Sequence, residues 1–148
     1  MDVLRFKRET KPRPRLDFIG KNPNGPIMKI YLILASAYGL LSVVLGAFGA
    51  HALKERLSAE QLVSWETGVR YQMFHALAIL LFVVLAERGL YLKPSLLAFS
   101  LGTLLFSGSI YCLCLGIGPR AVLGPITPVG GLSLIIGWGW LLVEVARK

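Results

Sequence analysis

Acidic side chains are scarce in this chain. Eight Asp and Glu stand against sixteen Lys and Arg in 148 residues, leaving a net charge of +8. Asp occurs only as Asp2 and Asp17, and Glu144, the one carboxylate inside a long apolar run, sits near the end of that run. Paired carboxylates for acid–base work are therefore missing from the apolar part of the chain, and Glu144 reads as an interfacial cap. Cysteine is limited to Cys112 and Cys114. Residues two apart on a helix point about 200° apart, so a disulfide between them would break the helix, and four-cysteine metal spacing is absent. Both read as small buried thiols. There is no HExxH, no nucleophile elbow and no Walker loop. The Gly-rich stretches lack a strand–loop–helix context and read as packing surfaces. No catalytic residue, cofactor or metal is expected.

Apolar side chains are abundant: 55% of residues are hydrophobic and the mean hydropathy is +0.64. One soluble core of this size cannot hide so many. Four runs, 30–53, 69–86, 95–116 and 128–145, have the length needed to cross a hydrocarbon layer of ~30 Å. The first is too long for the apolar part of a cleavable signal. The expected fold is all-α: an integral membrane four-helix bundle, with an interfacial helix segment between spans one and two. The loops are too short for a second core, so residues 28–148 form one membrane domain.

Residues 1–27 differ in character. LysProArgProArg at 11–15 and AsnProAsnGlyPro at 22–26 predict an extended or mobile tail, and a translation start at Met28 would still leave all four spans. Eight basic residues precede the first span. Such a cluster attracts anionic lipid headgroups by ~1 kcal/mol per cation near the surface, and no interleaved aromatics suggest a nucleic-acid partner. With the amino terminus inside, twelve Lys and Arg lie inside and four (Lys54, Arg56, Arg70, Arg120) outside. The positive-inside rule then predicts two cytoplasmic termini.

Small residues mark the expected packing faces. In span one these are Gly39, Ser42, Gly46 and Ala50, the last three spaced by four. In span three they are Ser107 and Gly108, and in span four Gly130, Gly131 and Gly137. In lipid, such faces let helices approach closely. Ser58 with Gln61 predicts a capping box opening a helix at Ala59. Trp65 is expected at headgroup depth. Thr127 and Pro128 are expected to open span four.

Four motifs stand in order along the chain: GlyAlaPheGlyAlaHisAlaLeuLys (46–54), TyrGlnMetPheHisAla (71–76), LeuPheSerGlySerIleTyr (105–111) and IleThrProValGlyGly (126–131) followed by GlyTrp (137–138). With them the chain resembles the YgdD/YwdK-like family of small multi-span membrane proteins, related to the animal transmembrane protein 256. The resemblance runs from Met28 to about Val145, and the tail departs from it. It implies an inner-membrane protein without an established biochemical activity and brings no catalytic residues.

The candidate polar cluster is His51 and His75, supported by Glu66, Arg70, Tyr71 and Gln72. Glu66 and Arg70 have the i, i+4 order of an ion pair, as do Glu144 and Lys148. His51 and His75 are expected on adjacent helices at one membrane side. An imidazole there bonds a backbone carbonyl or hydroxyl, carries a proton, or joins a metal site. Two functional classes follow. One is an accessory, scaffold or structural subunit packing against a larger membrane protein complex. The other is a small oligomeric transporter or channel using the His51/His75 corner.

Overall fold

The computed structural model describes residues 25–147. The expected tail, up to residue 24, and Lys148 with its proposed pair to Glu144 lie outside them. Four helices follow one another: α1 (Gly25–Ala50), α2 (Ala59–Glu87), α3 (Lys93–Leu115) and α4 (Arg120–Ala146). Each is long and apolar enough to span a bilayer. Short connections make neighbours antiparallel. Helix α1 packs on α2, α2 on α3 and α3 on α4, while α1 touches α3 slightly and does not pack on α4. The protein is a four-helix membrane bundle whose first and last helices stay apart.

The helix ends follow local chemistry. Ser58 caps α2 with the full capping box: its side chain accepts from the Gln61 N–H at 3.2 Å, and Gln61 Oε1 accepts from the Ser58 N–H at 2.8 Å. Pro94 occupies the first turn of α3, where a missing donor does no harm. Gly116 and Gly118, with φ of 67° and 83°, make the left-handed exit from α3 that a β-carbon would strain.

Helix α2 opens at Ala59, as the capping box predicts, and runs unbroken, so the interfacial segment is its first turns. Two boundaries differ from expectation. Helix α1 begins at Gly25, taking in residues assigned to the tail. Helix α4 begins at Arg120, with Pro125 and Pro128 inside it. A proline removes only its own donor, and in a membrane helix the surrounding turns and neighbouring helices carry the structure through. Thr127 is therefore no cap; its Oγ1 lies 2.7 Å from Ser109 Oγ across the α3–α4 interface.

Packing faces follow from helical geometry. The buried residues of α1 are Met28, Ala35, Ser42 and Gly49, seven apart. A seven-residue step nearly closes two turns, whereas each four-residue step drifts by about 40°. The Ser42–Gly46–Ala50 row therefore leaves the seam, and Ala50 is exposed. Gly39 and Gly108 have nothing within 4 Å of an added β-carbon. Gly46 faces Val69 at 3.4 Å and Gly131 faces Phe106 at 3.6 Å, both ordinary contacts. The tight positions are Gly102, Gly130 and Gly137 between α3 and α4, Gly49 under Trp65, and Gly68 under Tyr111.

Two apolar clusters hold the bundle. Met28, Ile79, Phe82, Leu96, Phe99 and Leu134 fill the end that carries the termini. Leu53, Trp65, Ile110 and Cys114 fill the other end. Polar side chains collect between them.

Candidate functional site

Helix α2 supplies the middle of this polar layer. Gln72 is buried, and its amide bridges two other helices. Its Nε2 donates to the Tyr38 carbonyl of α1 at 3.0 Å, and its Oε1 accepts from the Tyr111 hydroxyl of α3 at 3.0 Å. The Tyr38 hydroxyl crosses to the Ser100 carbonyl at 2.7 Å. Ser107 Oγ donates to the Gly68 carbonyl at 2.8 Å. Each bond joins two helices in a medium with no water to offer instead. Thr103 Oγ1 is the one buried side-chain polar atom without a partner among the described residues.

His75, about one turn further on, is turned toward α4. Its Nδ1 lies 2.8 Å from the Tyr71 carbonyl, and Trp138 Nε1 of α4 donates to its Nε2 at 3.2 Å. An indole N–H only donates, so Nε2 accepts and the ring proton belongs on Nδ1. That tautomer satisfies both nitrogens with the ring uncharged. Phe99 meets the imidazole edge-on at 5.0 Å, and Tyr71 stacks at 6.0 Å. A cleft between α2 and α4, lined by Phe74, His75, Leu77, Ala78, Leu81 and Trp138, opens beside it.

The six expected cluster residues separate. Tyr71, Gln72 and His75 join the interior layer, although Tyr71 keeps an exposed ring face. His51, Glu66 and Arg70 are exposed. His75 lies sixteen residues past Ala59, or about 24 Å along the helix, whereas His51 sits in the turn just after α1. Because α2 starts at Ala59, ahead of the apolar run at 69–86, His75 is mid-helix and away from the corner. No His, Cys, Asp and Glu group fit for a metal occurs among the described residues.

Four partners had not been singled out for this layer: Tyr38, Tyr111, Trp65 and Trp138. Trp65, expected at headgroup depth, is 2% exposed. It donates to the Leu45 carbonyl at 2.9 Å and packs on Tyr111 at 4.7 Å. The available signal was an aromatic residue with a polar tip opposite a small residue, as with Trp65 over Gly49. Glu144 does act at a helix end: its Oε1 accepts from the Tyr91 N–H at 2.9 Å.

Comparison with known proteins finds similar sequences, and no solved structure matches. UPF0382 membrane protein YwdK of Bacillus subtilis is 40% identical over 124 residues, covering 81% of this chain and 98% of that protein. UPF0382 inner membrane protein YgdD of Escherichia coli is 41% identical over 121 residues, covering 80% and 91%. A Schizosaccharomyces pombe membrane protein, C1782.12c, is 42% identical over 116 residues, covering 74% and 96%. None of these names carries a catalytic activity. The model of DUF423, described as a protein of unknown function, matches residues 45–131, more than half of the sequence and nearly all of the polar layer, so the chain belongs to the DUF423 family.

Proposed function

We propose that this protein is a non-catalytic accessory or scaffold subunit that packs against other proteins of the inner membrane. One observation carries the reading: α1 packs mainly on α2 and α4 mainly on α3, and the two do not meet. Their outer faces remain open along their length, through Ile33, Leu40 and Val43 on α1 and Leu132, Ile135 and Leu142 on α4. The interior polar groups support the same reading, because Gln72, His75, Ser95, Ser107 and Ser109 are engaged in holding helix to helix. A bundle of this form offers two apolar flanks on a rigid centre. The twelve-to-four distribution of basic residues favours cytoplasmic termini, with residues 51–58 on the far side. The name of the E. coli relative suggests the inner membrane.

Extraction of the full chain in a mild detergent, followed by native electrophoresis and mass spectrometry, tests the reading. A stoichiometric membrane partner supports it. A pure homo-oligomer overturns it in favour of a small transporter or channel. Orientation is tested with Ser58→Cys and Tyr91→Cys in a chain whose own cysteines are replaced. An impermeant thiol reagent added outside the cell should label only the first.

A further inference from the structure

We propose that the cleft at the 51–58 end of the bundle holds the phosphodiester headgroup of a glycerophospholipid. The proposal is independent of the scaffold reading. The cleft has a volume of about 340 Å³ and lies where the start of α2, the end of α3 and the start of α4 meet. Its lining changes character along its length. Arg120, the first residue of α4, supplies the only charged side chain among the described residues that line it, and Gln61, Ser64 and Thr127 are polar. Leu113 and Ile110 form the apolar part on α3, about one and two turns below that helix's exit at Gly116. A cation at the helix ends with an apolar wall toward the bilayer centre matches one amphiphile, whose phosphate sits at the interface and whose chain points inward.

Hydrogen bonding narrows the chemistry. Arg120 is exposed and forms no ion pair among the described residues. Its planar fork of donors fits two phosphate oxygens. Gln61 uses one amide hydrogen on the Cys114 carbonyl at 3.1 Å, so its second remains available to the same phosphate. Ser64 already donates to the Glu60 carbonyl at 3.0 Å. Its oxygen can only accept, which suits a headgroup that carries a hydroxyl or ammonium donor. Pro119, at the N-cap position of α4, offers no side-chain cap, so the positive end of that helix lies beside Arg120. The lipid belongs to the leaflet on the 51–58 side.

Native mass spectrometry of the full chain, extracted in mild detergent, provides the test. The wild type should retain one phospholipid per chain. Arg120→Gln should lower the retained fraction about tenfold, as expected for loss of a charge-assisted bond pair. Arg120→Lys should keep an intermediate fraction, and Arg88→Gln, at the opposite end, should keep it all. Millimolar inorganic phosphate should leave the lipid bound, because the apolar wall holds the chain. Equal retention by Arg120→Gln and wild type overturns the proposal. So does displacement by inorganic phosphate, which would mark a free-anion site, or co-purification of a protein segment in place of lipid.

Discussion

The α1–α2 and α3–α4 pairs are both antiparallel and both buried on one side, yet they are joined by different means. Between α3 and α4 the backbones themselves touch. A β-carbon on Gly130 would collide with the backbone nitrogen of Phe106, and one on Gly102 would come within 3.1 Å of the Gly130 carbonyl. Hydroxyls then tie backbone to backbone: Ser95 to the Gly137 carbonyl at 2.8 Å and Ser133 to the Ala98 carbonyl at 2.9 Å. Between α1 and α2 long side chains do the joining, through Trp65 to Leu45 and Gln72 to Tyr38. Close packing in lipid rests on dispersion and fixed geometry. A side-chain bridge can rotate or shorten, whereas a backbone contact cannot.

This contrast orders the expected effects of substitution. The largest should come from Gly130→Ala, which drives a methyl into Phe106 backbone. Thermal unfolding in detergent should show a loss of ~2–3 kcal/mol, the range of overpacking; tolerance of this change would break the comparison outright. Gly49→Ala is next. Its β-carbon would meet Trp65 Cδ1 at 2.7 Å, but the indole is a side chain that can shift, so a loss of about 1–2 kcal/mol is expected. It should be accompanied by altered Trp fluorescence, and a loss larger than that of Gly130→Ala would reverse the ranking.

Gln72→Leu should come third. It leaves the Tyr111 hydroxyl unpaired inside the bundle, at roughly 1 kcal/mol. The double variant Gln72→Leu with Tyr111→Phe should recover part of that loss, and no recovery would show that the bridge does not couple the two. His75 separates donor from shape. His75→Gln should lie within about 1 kcal/mol of wild type, and His75→Leu should lose more, since only an amide can still accept from Trp138. The smallest effect belongs to Gly39→Ala. Nothing lies within 4 Å of the added carbon, and alanine favours the helix by up to ~1 kcal/mol. A clear destabilisation there would mean that this face of α1 is covered in the membrane.

Much of this fold was legible in the pattern of residues. Apolar runs of membrane-spanning length separated by short polar turns leave few arrangements other than four adjacent antiparallel helices. The Ser58–Gln61 cap and the turn at Gly116 and Gly118 are local chemistry and could be read directly. The start of α4 could not, because Pro125 and Pro128 look like breakers until tertiary packing carries the helix past them. The rotation of α1 was also hidden: Ser42, Gly46 and Ala50 look like one row, but their 40° drift per step matters only when a partner helix fixes which azimuth is buried.

The polar layer shows where the boundary between sequence and structure falls. That buried Gln72 and His75 would need partners followed from their position in apolar runs, because an unpaired polar group in hydrocarbon is costly. Which partners they found did not follow. His75 meets Trp138 from 63 positions away, and Gln72 meets Tyr38 and Tyr111 from 34 and 39 away. By itself the sequence determined the membrane, the number of helices and the Ser58–Gln61 cap of α2, since these depend on local composition and near-neighbour bonding. The azimuth of each helix and the open flanks of α1 and α4 were decided only by tertiary packing, where glycine contacts set how closely and at what rotation two backbones lie.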